Sequence, residues 1–286
     1  MRGALLAAVL FALAACRSAP APARPVRVAA VAPSPAAPVG DDDAAGLEAL
    51  ALRSVEPSEL LVKAARARRM RVEHASRTAA AAPDAADALA SAAQEALACA
   101  ADAHRSWTAW FPAAAAQLDG TRPAAEIYAL VGARGAEALY LEALCSAAWA
   151  RTQGFTQLID RRDELTQGLK RAAELAPDLD GAGPERELGA LLAALPSYAG
   201  GDLAEARRHL ESAVQRAPQD PRNRLALART VAVKAQDRQL FEQSLQAVAQ
   251  GADAAAAAEA TALLSREDEL FGPAQAAQPI PGGTQR

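Results

Sequence analysis

Reactive side chains are few and scattered in this 286-residue sequence. Three cysteines (Cys16, Cys99, Cys145) and three histidines (His74, His104, His209) are the obvious nucleophiles and metal ligands, and they lie far apart along the chain. A metal site announces itself by paired cysteines or by two histidines one helical turn apart in HExxH, and neither pattern occurs. No GxSxG elbow is present, and Gly181, Gly183, Gly200 and Gly201 do not make a phosphate-cradling loop. Asp160, Asp163 and Glu164 form a carboxylate cluster, but Arg161 and Arg162 stand among them, so a salt-bridged helix surface accounts for the group. No catalytic residue, metal or cofactor is expected. The chain reads as a binding or scaffolding part, not an enzyme.

One thiol does have a context. Met1-Arg2-Gly3 is a short positive lead, and the apolar stretch Ala4–Ala15 runs directly into Cys16. A secretory apolar region spans ~7–15 residues, whereas a membrane-crossing helix needs about 20. The small Ala14 and Ala15 before Cys16 resemble the lipobox of bacterial lipoproteins. That resemblance implies cleavage after residue 15 and attachment of fatty acyl groups, palmitate among them, at Cys16. Each buried methylene contributes about 0.8 kcal/mol, so two or more chains hold a protein on a bilayer where one does not. Arg17 rather than aspartate follows the cysteine, which by the same resemblance favours the outer membrane, facing the periplasm.

Residues 16–55 read as a disordered tether. Proline and alanine dominate through Pro38, and Asp41–Asp43 follow. Proline-rich chain extends at ~3.1 Å per residue and buries no core. The tail 272–286, rich in Gly, Pro and Gln, reads the same way. Between them, residues 56–271 carry the folded domain.

Hydrophobic residues make up 51% of the chain while aromatics make up 4%, so alanine supplies much of the apolar count. Alanine is the best helix former and gives no branched surface for a sheet. The fold class is therefore all-α. A net charge of −4 argues against nucleic acid, which needs a basic face. The one basic stretch, Lys63, Arg66, Arg68, Arg69 and Arg71, scatters around a helix at 3.6-residue spacing and makes no stripe.

The clearest repeat signal starts at Glu185. Leu188, Leu191, Leu192 and Leu195 mark one helix face, and Pro196 ends it. Gly200-Gly201-Asp202 then makes a turn, and Ala206, Leu210, Ala213 and Pro218 follow. This spacing resembles the second helix of a tetratricopeptide repeat, with small residues for close helix approach and a leucine filling the groove. The same four-then-three spacing recurs at Leu165, Leu169 and Ala172 and at Phe241, Leu245 and Val248. A TPR-like α-solenoid of stacked hairpins is expected, with residues 260–271 as its cap. In the less regular first half, helices are expected from Leu60 to Ala82, from Pro83 to Ala103, and from Glu126 to Ala150, the last either one helix or two broken at Gly132 or Gly135. Trp107, Trp110, Phe111 and Pro112 are expected to form an aromatic corner. Trp107, Trp110, Tyr140, Trp149 and Phe155 are expected as interhelical packing anchors, and Tyr140, Trp149 and Tyr198 are the candidates for lining an apolar groove. Cys99 and Cys145 either pair in an oxidising compartment or stay as two buried thiols.

A family likeness emerges from these segments in order. They are Gly135-Ala136-Glu137-Ala138-Leu139-Tyr140 leading to Trp149-Ala150, Leu195-Pro196 with Gly200-Gly201-Asp202-Leu203, Ala206 through Pro218, Gln236–Phe241, and Leu263-Leu264 with Phe271. From about Leu89 to Phe271 the chain resembles the T-component lipoproteins associated with TRAP transporters. Leu141 stands where that family often has an aromatic residue. The resemblance implies a periplasmic accessory protein, a monomer or a homo-oligomer, that binds the solute-binding protein of a TRAP system and helps hand over a small organic ligand. The sequence independently leaves a general TPR scaffold for envelope complexes as the alternative.

Overall fold

A computed structural model describes residues 40, 42–81, 86–118 and 120–272, and all the regular structure among them is helical. The first element is unexpected. Helix α1 (Ala44–Ala51) occupies part of the stretch read as a tether, capped by Asp43 accepting from the Gly46 amide. Ala44 and Leu47 pack with Ala64 and Ala67 of helix α2 (Ser58–Ala81) and seat it there, and Ala51 is buried as well. Glu48 adds an ionic lock, reaching Arg68 at 2.9 Å and Arg105 at 2.6 Å. The composition that suggested disorder thus ends before residue 44. Its proline run stops at Pro38, and a capped helix with a one-sided apolar face begins at Ala44.

Helix α3 (Ala86–Trp110) pairs with α2 and runs past the expected end at Ala103. The reason is Trp107, which is fully buried and faces the following helices from inside α3 instead of turning a corner. Phe111 caps the short α4 (Pro112–Ala115), and α5 (Ala124–Ala129) follows. The chain does break at Gly132–Gly135, in a single 3-10 turn. A Cβ on Gly135 would meet Val131 Cγ1 at 2.4 Å, so the close approach requires glycine.

From there the packing is sequential. Helix α6 (Ala136–Gln153) lies against α3 and, beyond the short α7 (Phe155–Asp160), against α8 (Arg162–Leu175). Helix α8 meets α9 (Gly183–Ala194), α9 meets α10 (Leu203–Arg216), and α10 meets α11 (Pro221–Ala226). Helix α11 continues through a π-helical stretch, Leu227–Ala232, into α12 (Val233–Ala235). The π stretch packs on α13 (Arg238–Ala249), which carries α14 (Ala254–Leu264) and the terminal α15 (Glu267–Phe271). The expected cap is thus two helices, closed by Phe271 edge-on to Phe241 at 5.1 Å.

The repeat positions all turn inward. Ala206, Leu210 and Ala213, Leu165, Leu169 and Ala172, and Phe241, Leu245 and Val248 are buried. Pro196 follows the last turn of α9, and Gly200 sits at φ +86°, a left-handed conformation that side chains resist. Asp202 caps α10 by accepting from the Glu205 amide at 2.9 Å. A Cβ on Gly189 would lie 2.6 Å from Leu210 Cγ and 2.9 Å from the Ala206 carbonyl, so α9 and α10 touch backbone to backbone there. The alanine-rich composition finds its use in these close crossings.

Candidate functional site

Helix α3 brings Leu97, Ala101 and His104 to one side at four-then-three spacing. Helix α6 brings Glu142, Ser146 and Trp149 to meet them at the same spacing, and the α7–α8 junction adds Arg161. Together they border a cavity of about 270 Å³ whose floor is largely alanine, leucine and indole. A smaller inner compartment of about 30 Å³ shares Glu142, Ser146 and Arg161 and reaches Tyr128, Glu164 and Leu165. The two long walls are covalently joined. Cys99 and Cys145 form a disulfide with Cα atoms 5.9 Å apart, immediately beside the groove residues of each helix.

The polar groups of the groove divide into satisfied and free. Glu142 accepts from the Trp107 indole at 2.5 Å and faces His104 Nδ1 at 2.8 Å, so each carboxylate oxygen has a partner. That hydrogen bond to Glu142 raises the pKa of His104 above the ordinary imidazole value, against the opposing effect of burial. Beneath them Trp107 stands edge-on to Tyr128, whose burial pushes its phenol well above the usual range. Arg161 lies over the Trp149 ring, 4.7 Å from the centroid, and makes no ion pair among the described residues. Its neighbour Arg162 takes Asp163 at 3.4 Å. The expected salt-bridged surface is therefore only half formed, and the unused guanidinium is the one facing the groove.

A second polar cluster holds helices together. Asp180, in the loop between α8 and α9, receives the Tyr140 hydroxyl at 2.7 Å. Three guanidiniums surround the same carboxylate: Arg69 at 2.9 Å, Arg222 at 3.1 Å and Arg186 at 3.2 Å. Burial alone would raise the Asp180 carboxyl, but the tyrosine and the three arginines outweigh it and hold it below the ordinary value. Asn223, fully buried, donates to the carbonyls of Gly181, Ala213 and Ala217 and so closes the end of α10. Asp180 and Ala182 both adopt positive φ, at +52° and +61°. One loop thereby joins α2, α6, α9 and α11.

The three residues expected to line a groove are dispersed. Trp149 does line one. Tyr140 does not: it is core, 1% exposed, because its ring fills the space between α2 and the α8–α9 loop while its hydroxyl is consumed by Asp180. Tyr198 stands on the turn Ser197–Ala199, 84% exposed and not among the residues that border the groove. The repeat residues Leu195, Pro196, Gly200, Gly201, Asp202, Ala206, Leu210, Ala213 and Pro218 shape the α9–α10 hairpin and its exit rather than the groove. Cys16 lies outside the described residues, as do the rest of the signal, most of the tether and residues 273–286. His104, Glu142, Ser146 and Arg161 carried no motif. Their signal was the repeated four-then-three spacing on two helices, which has no meaning until the helices are known to be neighbours.

The basic stretch behaves as its scatter suggested. Arg68 and Arg69 turn inward, while Arg66 meets Glu137 at 2.6 Å and Arg71 meets Glu95 at 3.6 Å. An open hollow of about 650 Å³ beside them is bordered by Arg66, Met70 and Arg71. No helix among the described residues is long and apolar enough to cross a membrane.

No curated protein matches the chain. The family model described as TRAP transporter T-component matches residues 62–271, from the first turns of α2 to the end of α15, and so takes in the groove, the Asp180 cluster and every helix after α1. The chain belongs to the TRAP transporter T-component family.

Proposed function

We propose that this protein is a lipid-anchored accessory component of a TRAP transport system, held at Cys16 and facing the periplasm, outer membrane before inner. It binds the system's solute-binding protein and assists transfer of a small organic ligand without catalysing a reaction. The family match over residues 62–271 carries this reading. The leader, with its positive start, short apolar stretch and Cys16, supports the anchor. The groove between α3 and α6 supports partner binding, because it is apolar, open to solvent and rigidified by a disulfide.

Affinity purification of the full chain from its own membrane tests the proposal. A solute-binding protein recovered in stoichiometric yield, with acyl groups on Cys16 by mass spectrometry, is the expected result. Recovery of envelope-assembly machinery in its place would support the second reading, a general helical scaffold. That reading draws on the filled interior: the core between α3 and α10 is continuous, and beyond the inner compartment of about 30 Å³ the cavities described above lie between helices at the surface.

A further inference from the structure

We propose that Arg161 and Trp149 form the anchor point for an acidic partner surface, one presenting a carboxylate next to a bulky apolar side chain. This rests on the partner-binding reading above and assigns it a place on the molecule. The chain as a whole is acidic, at −4, yet this groove is edged by Arg105, Arg161 and His104 against one carboxylate at its mouth, Glu142. Glu142 is already satisfied by Trp107 and His104, and the charge of Arg105 is met by Glu48 and Asp102 through one terminal nitrogen, its Nε being buried with no hydrogen-bond partner. Glu164 shares the inner compartment with Arg161 and acts electrostatically on His104, and Asp160 and Asp163 flank Arg161 on the exposed surface, but none of the three closes an ion pair with Arg161. One half-buried guanidinium is left with no anion among the described residues, lying on an indole face.

That arrangement suits recognition of a carboxylate. The guanidinium is a planar fork whose parallel N–H groups match two carboxylate oxygens, and it is always charged. Stacking on Trp149 holds the fork in place, so little rotamer freedom is lost on binding. Beside it, Leu97 is 53% exposed and the alanines of α3 leave room for an apolar side chain. Trp and Arg in a recessed, pre-ordered pocket are the residue types on which interface affinity concentrates. The disulfide fixes the wall-to-wall distance before the partner arrives.

The test uses the full-length chain and the solute-binding protein co-purified with it, with affinity measured by surface plasmon resonance. Arg161→Glu should weaken binding by tenfold or more and Trp149→Ala by a similar factor, while Glu259→Gln, on the exposed face of α14, should leave it unchanged. Arg161→Lys should retain an intermediate affinity, and melting temperatures establish that each variant is folded. Wild-type affinity should also fall as salt is raised from low to high, a reading that needs no variant. Affinity in Arg161→Glu within twofold of wild type, or wild-type affinity insensitive to salt, would overturn this anchor and leave the accessory role standing. Self-association of the chain lost in the same variant, with partner binding intact, would assign the groove to a second copy and overturn it equally. A wild-type chain that binds no solute-binding protein at all sinks the accessory reading itself.

Discussion

The Tyr140 hydroxyl and the Asp180 carboxylate, forty residues apart in sequence, meet at 2.7 Å where the α8–α9 loop crosses α6. Around this bond Arg69, Arg186 and Arg222 converge from three further helices. Arg186 is almost wholly buried and uses Asp180, Asn223 and Glu187 to satisfy its guanidinium. A buried ion pair adds little net stability over an apolar substitute, but breaking one side of it is costly.

Removing the Asp180 charge should therefore do more harm than removing the tyrosine hydroxyl. Asp180→Ala leaves buried Arg186 short of its main counter-charge and should cost about 3 kcal/mol or more. Tyr140→Phe loses one hydrogen bond to a charged acceptor and should cost about 1.5–3 kcal/mol. Urea unfolding followed by circular dichroism gives both values; equal losses would show that the cluster is not organised around Asp180.

Stability should fall at both ends of the pH range, for opposite reasons. Asp180 and Asp220 ionise below their ordinary values despite burial, Asp220 through hydrogen bonds from Arg222. Their contribution is complete above the unfolded carboxyl pKa, about 3.9, and disappears as pH falls through the lower folded values. His104 works the other way, because Glu142 raises its pKa. Its contribution is complete below the unfolded value of about 6.5 and disappears as pH rises through the folded one. Melting temperature against pH should show a small decline above neutrality that His104→Gln removes, and an acid decline that it leaves in place.

Reduction of the Cys99–Cys145 bond should destabilise the domain substantially. The bridge closes a loop across 46 residues, and the chain-entropy account gives such a loop about 4 kcal/mol. Melting with and without reductant, and of the Cys99→Ala/Cys145→Ala double variant, measures it. A double variant as stable as wild type would mean that packing of α3 on α6 needs no covalent help.

Gly201→Ala should be damaging for a steric reason alone. A Cβ there would lie 2.0 Å from the Leu195 carbonyl oxygen and 2.9 Å from that of Pro196, and backbone atoms cannot move aside as a side chain would. A loss of about 1–3 kcal/mol is expected. Gly120→Ala is a poor steric control because its φ of +78° is itself strained, whereas Asp202→Ala tests the adjoining cap and should cost about 1 kcal/mol.

Sequence periodicity identified the hairpin from Leu188 to Ala213 and its flanking sets at Leu165 and Phe241, because each is a local pattern on one helix and burial follows from the pattern. It missed α1, where Leu47 and Ala51 give too short a stripe to stand out after a proline-rich run. It left Tyr140 between core packing, the plainer reading, and a groove, since an aromatic side chain looks the same in sequence whether it lines a cleft or fills a core; its burial settles it as core.

What the sequence determined by itself was the helical class, the hairpin turn at Gly200–Asp202, the absence of catalytic motifs and the likeness to the T-component family. These depend on residue type and on spacings within a turn or two of helix. Which helix faces which was decided only in three dimensions, and with it the pairing of Cys99 with Cys145, the convergence on Asp180 and the meeting of Trp149 with Arg161. Those relationships join residues from different elements, and one strand of letters carries no record of the distance between two helix faces until packing has fixed it.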